Sequence, residues 1–470
     1  MEEKTLQIYF TSDLHAFIYP TDYRSAEERE LGLFKCANRF QKDGNTLIID
    51  GGDVLQGSPL GAFCHDSQED ASSFAQIMNC CGYDYVTLGN HDFNYGMAYL
   101  DALEARCVCQ NALRSDGTVR FPSRVHVLEN GLRVGVVGIV TDHVNVWERP
   151  EHLTGLTITD PIPAARAALE ALRGQADLTV CVYHGGFERD LATGRVLSAS
   201  SENIAYRLCQ ELDFDILLTG HQHMCIPGQS LFGTFAVQAP DSGRAFISLK
   251  TVVADGHIVC NSQAIPAGGD CDPILLDRFG NLEQGAQTWL DTVVGRLDRP
   301  LLPAPPLIMA AEGNDIADFF NEVQMFCSGA QLAATSLANE IAGFPQTVRR
   351  RDVLTAYPYT NTLMVLRVTG SVLRRAMERS AEYFAVDEEG RLCVADAFLK
   401  PKVEHYNYDY FSGVNYAFDI SRPEGQRVVE LTYQGEMVKD EDEFTICLNS
   451  YRASGAGGYP EYTQCRVVRE

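Results

Sequence analysis

The stretch "VTLGNHDFNYG", residues 86–96, sets an amide, a histidine and an acid directly behind an apolar run. Asn90, His91 and Asp92 stand where a buried strand should be ending, between Gly89 and Gly96. Two readings compete: a turn that happens to be polar, or a strand end that delivers metal ligands. The segments around it decide.

Short apolar runs recur through the first half: "LQIYF" (6–10), "TLIID" (46–50), "YVTL" (85–88), "RVGVVGIV" (133–140), "LTVCVY" (178–183) and "FDILLTG" (214–220). Helix-like spacing between them predicts helices over 69–81, 97–106, 160–173 and 201–212. Strands alternating with helices imply an α/β domain around a largely buried sheet. From 231 to 263 the pattern is strand-only, which predicts an antiparallel finish. Residues 274–297 have helical spacing, and the prolines of "PLLPAPP" (300–306) then favour an extended link.

At 470 residues the chain exceeds one ordinary core. We therefore expect a first domain over 1–270, a helix and Pro-rich hinge over 271–306, and a smaller α+β domain over 307–470. Helices near 314–328 and 370–385, then strands through 391–470, complete the second domain. The net charge of -25 argues against a nucleic-acid polymer as partner. A small anionic substrate is compatible with it if metals or arginines reverse the potential in one cleft. Fifteen cysteines without a C-x-x-C pair read as buried reduced thiols. The start "MEEKTLQIYF" lacks a basic and then apolar leader, and no apolar run reaches the roughly 18–20 residues of a membrane span. A cytoplasmic protein with no membrane partner is the expectation.

Polar residues close the apolar runs in order. Asp13 and His15 follow the first, Asp53 the second, Asn90 and His91 the third. His184 follows "LTVCVY", and His221 and His223 follow "FDILLTG". Loops at the carboxyl ends of strands converge in open α/β sheets. Each motif alone suits an ordinary turn, but five in sequence, each at a strand end, point to a metal site. The chemistry suits two divalent ions: a carboxylate can bridge, and Asn oxygen with imidazoles favours Mn, Fe or Zn over Ca. Two such ions would clamp a phosphate and acidify a water at neutral pH. His91 fits a different task, as proton donor to the leaving oxygen or positive charge on the phosphoryl group.

The series D-x-H, G-D, G-N-H-D, H and G-H-x-H resembles the calcineurin-like metallophosphoesterases. That resemblance implies a two-sheet sandwich flanked by helices around a dinuclear centre. It places Asp13, His15, Asp53 and His223 on one ion and Asp53, Asn90, His184 and His221 on the other, with His91 catalytic. "YPYTNTLMVLRVTGSVLRRAME" (357–378), "YNYDYFSGVNYAFDIS" (406–421) and "LNSYRASGAGGYP" (448–460) resemble the C-terminal domain of the 5'-nucleotidase family. There the second domain stacks the base between two aromatic rings, which implies Tyr408 and Tyr451 here. Read without the resemblance, these tyrosines fill a β-rich core.

The chain departs from 5'-nucleotidases in three places. Gly457 stands where their G-G-D-G loop has its Asp. "LANEIAGF" (337–344) lacks their N-G-G-G-I-R arginine, although Arg349, Arg350 and Arg351 follow. Asn94 stands where an Asp pairs with the catalytic histidine, so it can orient His91 but supports its charge less well. These departures resemble the branch that hydrolyses 2',3'-cyclic nucleotides and then 3'-nucleotides, whose members are usually exported. The resemblance implies a small nucleotide substrate and a movement at the hinge. A 5'-nucleotidase, a broad phosphomonoesterase and a non-catalytic nucleotide sensor are the alternatives.

Overall fold

The computed structural model describes residues 3–469 apart from 26, 68–71, 199, 358–360 and 401, with the backbone alone of Tyr99. The start of the helix expected over 69–81 and the "PYT" of the 357–378 stretch thus lie outside the described residues. The chain forms two compact units, Met1–Leu290 and Asp291–Glu470.

The first unit contains two mixed sheets. One runs His257–Pro266, Ala245–Ala254, Lys4–Thr11, Thr46–Asp50, Tyr85–Val86, and its last three strands are parallel. The other runs Ile226–Leu231, Thr234–Gln238, Ile216–Thr219, Leu178–His184, Arg133–Val140, Arg124–Val127, with four parallel strands inside antiparallel edges. Alternation along each strand builds the core between the sheets. Leu6, Ile8, Phe10, Leu47 and Ile49 meet Val134, Val136, Val180, Val182, Ile216 and Leu218. Each such side chain contributes about 1.5–3 kcal/mol on burial.

The intervening residues Val137, Ile139, Cys181, Tyr183 and Leu217 pack on the opposite face beneath helices Pro161–Leu172 and Ala205–Glu211. Burial on both faces is why "RVGVVGIV" reads as an unbroken apolar run. The Asp160 side chain accepts from the Ile162 amide and Pro161 occupies the first turn, which together start the first of these helices.

The structure differs from the sequence expectation in three elements. Residues Cys109–Arg114, Val119–Phe121 and Leu156–Ile158 form an additional small sheet. The helix expected over 274–297 ends at Leu290, and Val293–Arg296 is a strand paired with Thr347–Arg349. Two β-branched residues and a glycine favour that outcome. In "PLLPAPP", Leu301 is extended and bridges Phe344, but Pro306 opens the helix Pro306–Glu312. Proline at a first helical position has no amide to leave unpaired. The helix Pro273–Leu290 belongs to the first unit, where Tyr19 donates to the Phe279 carbonyl at 2.6 Å.

In the second unit a five-stranded sheet runs Asp409–Ser412, Leu332–Ser336, Glu443–Asn449, Leu363–Thr369, Arg466–Arg469. Its long helices are Asp315–Ser328, capped by Asn314, and Gly370–Ala381, capped by Thr369. A buried charge anchors the segment that follows the third strand. Arg452 lies 2.9 Å from Asp409, donates to the Tyr406 carbonyl at 3.0 Å, and sits 4.1 Å over the Tyr459 ring. Removing one partner of a buried pair strands the other charge. Asp409→Ala is therefore expected to destabilise the second unit by about 3–5 kcal/mol, read as a lower urea midpoint for its unfolding.

Candidate metal centre

Five of the strands lead into the residues singled out above, and their loops meet at one end of the two sheets. Asp13, His15 and His223 form one cluster, and Asp53, His184 and His221 a second; in each, the ligand atoms lie within 4.8 Å of one another. His15 Nε2 is 3.0 Å from His223 Nε2, and His223 Nε2 is 3.5 Å from Asp13 Oδ1. In the second cluster His184 Nε2 lies 3.2 Å from both Asp53 Oδ2 and Asn90 Oδ1. Donors about 2.1 Å from one ion, at tetrahedral or octahedral angles, stand roughly 3.0–3.4 Å apart. Asp53 joins the clusters, being also 4.0 Å from His15 Nε2.

The loops that hold these groups are conformationally unusual. Asp13, His15, Asp53, His221 and His223 all have positive φ, between 49° and 69°. Left-handed backbone costs a non-glycine residue about 1–2 kcal/mol, so surrounding bonds must hold it. Asp13 and His15 receive that support from the Asp53 loop, donating their amides to the Gly52 and Asp53 carbonyls at 2.9 and 2.7 Å. The His221 amide donates to both Asp13 oxygens. A Cβ on Gly89 would stand 2.1 Å from Asp53 Oδ1, so glycine is what lets the loops at 51–53 and 89–92 lie back to back.

Outer partners fix each imidazole. His15 and His184 donate Nδ1–H to the Gln56 and Gly51 carbonyls, both at 2.7 Å, which turns each Nε2 towards the cluster. His221 has Nε2 2.7 Å from Glu202 and stacks on Trp147 at 5.6 Å. His91 Nδ1 meets Asn94 Oδ1 at 2.8 Å, and its amide donates to Asp53 Oδ1. Asp92 is fully buried and holds the frame. Its carboxylate accepts the Asp53, Val54, Leu55 and Gly89 amides at 2.8–3.0 Å.

Burial pushes the Asp53 carboxyl up, but the imidazoles of His184, His91 and His15 outweigh it and hold Asp53 well below the usual carboxylate range. Burial, with the charges of His223 and His91, takes His15 down to about 4 against the pull of Asp53. In His184 burial acts downward too, but Asp53 draws it up to about 10. His15 is thus neutral and ready to coordinate at pH 7, whereas His184 carries a proton that an incoming cation must displace.

The second unit places the ring positions differently. Tyr408 is 2% exposed, packed among Tyr383, Phe384 and Tyr410, and donates to the Ala310 carbonyl. Tyr451 and Tyr406 are half-buried. Gly457 has φ 74°, and a Cβ there would lie 2.0 Å from Arg452 Nη1, so the guanidinium fills the room an aspartate side chain would need. Glu202, Trp147, Glu148 and Asp92 complete the surroundings of the site. Of these only Asp92 carried a sequence signal, its place beside Asn90 and His91.

A two-sheet sandwich with paired His/Asp clusters at its strand ends defines a calcineurin-like phosphoesterase, and that family model matches residues 6–225. The 5'-nucleotidase C-terminal domain model matches residues 293–464. The chain belongs to the 5'-nucleotidase family of calcineurin-like metallophosphoesterases, hydrolases that use a dinuclear metal site. A 5'-nucleotidase-like protein of Staphylococcus aureus, solved with alpha-ketoglutarate, is 32% identical with a TM-score of 0.90, covering 99% of this chain and 94% of that one. The trifunctional nucleotide phosphoesterase of Bacillus subtilis is 26% identical over 98% of this chain, which spans 36% of that relative's length. The 2',3'-cyclic-nucleotide 2'-phosphodiesterase/3'-nucleotidase of Haemophilus influenzae is 24% identical, covering 96% of this chain and 80% of its own. Among the described residues no helix is long and apolar enough to cross a membrane.

Asp92→Asn replaces an acceptor oxygen facing two amides with a donor, and should cost about 2–4 kcal/mol of stability in thermal unfolding. Manganese(II) uptake should release the His184 proton, so affinity climbs with pH up to about 10. Calorimetry at pH 7 in buffers of different ionisation enthalpy reads that release; buffer-independent heat contradicts it.

Proposed function

We propose that the chain hydrolyses 2',3'-cyclic nucleotides and 3'-nucleotides at two divalent ions, of Mn, Fe or Zn type. The observation that carries this reading is His91, held by its amide to Asp53 with Asn94, not an acid, at its Nδ1. Relatives named for that activity cover nearly the whole chain and support it. Asp13, His15, Asp53 and His223 hold one ion; Asp53, Asn90, His184 and His221 hold the other. When bound, the ions neutralise charge on the phosphoryl oxygens and acidify a water.

His91 presents Nε2 to the departing ribose oxygen, with Nδ1 occupied by Asn94. Asp53 fixes the His91 backbone through its amide, and Asp92 holds both loops in place. Aromatic stacking of the base, worth about 1–3 kcal/mol, falls to Tyr451 together with the 406–408 segment. Of that segment Tyr406 is half-buried, with Lys402 Nζ 5.6 Å over its ring, and Tyr408 supports from the core. Fifteen free thiols favour a reducing compartment.

The second reading is a 5'-nucleotidase, favoured by the Staphylococcus aureus neighbour. Turnover of 2',3'-cyclic AMP, 3'-AMP and 5'-AMP separates them: brisk hydrolysis of 5'-AMP alone refutes the first reading. Chelation should abolish all three activities, and His91→Ala should lower kcat about 10²–10⁴-fold.

A further inference from the structure

We infer that Glu148 is a positioning residue for His91, acting through the side-chain amide of Asn94. The inference rests on the reading of His91 as the group that serves the leaving oxygen. Glu148 terminates the short helix Val144–Trp147, and its side chain is 6% exposed. Its Oε2 accepts from Asn94 Nδ2 at 2.6 Å. Its Oε1 accepts the Arg149 amide at 2.8 Å and faces His152 Nδ1 at 2.8 Å.

An ionised carboxylate only accepts hydrogen bonds, so Glu148 fixes which end of the Asn94 amide turns towards it. The NH2 faces Glu148, and the oxygen is thereby aimed at His91 Nδ1, 2.8 Å away. An amide oxygen also only accepts, so Nδ1 must carry the hydrogen. Nε2 is left as the one position on the ring that gains or gives up a proton. With Glu148 removed, both orientations of Asn94 become available. The reversed amide presents its NH2 to Nδ1, which forces the neutral ring into the other tautomer and opposes the imidazolium. The asparagine selects the tautomer, and the glutamate selects the asparagine.

Glu148→Gln leaves one oxygen for three groups that faced the carboxylate, the Arg149 amide, His152 Nδ1 and Asn94 Nδ2. The backbone amide cannot turn and Asn94 can, so Asn94 reverses. Asn94→Asp alone sets two carboxylates against each other. The double variant restores the pattern, because the carboxylate introduced at position 94 accepts both from the amide introduced at position 148 and from His91.

The test measures steady-state kinetics with manganese-loaded enzyme on 3'-AMP and on 4-nitrophenyl phosphate. Each single variant should lose about 10–100-fold in kcat on 3'-AMP, with KM changed less than about threefold. The double variant should recover most of that loss. On 4-nitrophenyl phosphate, whose leaving group departs without a proton, the losses should be small. Equal losses on both substrates, an unaffected Glu148→Gln, or a double variant at the product of the singles overturns the inference while leaving the proposed function standing. Absence of turnover by the wild-type enzyme overturns both. Should a variant not fold, nitrogen NMR of the wild-type imidazoles decides: His91 with its hydrogen on Nδ1 supports the inference, and on Nε2 refutes it.

Discussion

Asp92 ties together the loops at 51–55 and 89–92. One buried carboxylate accepts four backbone amides, three from the loop after the second strand and one from Gly89. Burial and the neighbouring Asp53 push its pKa up to about 6, and the amides act against them. The Asp53 loop in turn accepts the amides of Asp13 and His15, and Asp13 accepts that of His221. The ligand frame is therefore a chain of loop-to-loop bonds that begins at a residue with no ligand role of its own.

Much of the first unit was legible because its physics is local and periodic. Buried strands flanked by helices leave apolar runs, and a strand's end is where its polar residues show. That logic placed Asp13, His15, Asp53, Asn90, His184, His221 and His223 at strand ends, and the structure brings those residues together. The outer partners were not legible. Glu202 lies in a polar stretch, Trp147 in a short helix and Glu148 at its end, with nothing in the spacing to tell them from surface residues. Their roles arise from contacts between segments far apart in the chain. The same holds for "VVGR": its β-branched residues were a local signal, but its partner strand lies near residue 348.

The second unit shows where motif alignment and burial part company. Tyr408 occupies the aligned ring position, yet its face is taken by other aromatics, whereas Tyr406 two residues earlier is half-buried. A short shift along the segment is enough to exchange a core ring for a half-buried one. In the sequence Gly457 stands only for an absent aspartate. The buried Arg452 supplies its cause, since the guanidinium occupies the space and is itself neutralised by Asp409. A change in one loop position is thus coupled to a charge pair in the core beneath it.

The left-handed backbone at five of the seven candidate ligands bears on how the centre discriminates among cations. A flexible loop wraps whichever ion arrives and adapts its coordination number to the ionic radius. Here the donor positions are set by torsions that bonds from neighbouring loops hold in place. Small cations with firm angular demands fit such a frame, and larger ones that need seven or eight oxygens would have to break it. Selectivity then resides in the stiffness of the main chain as much as in the identity of the side chains.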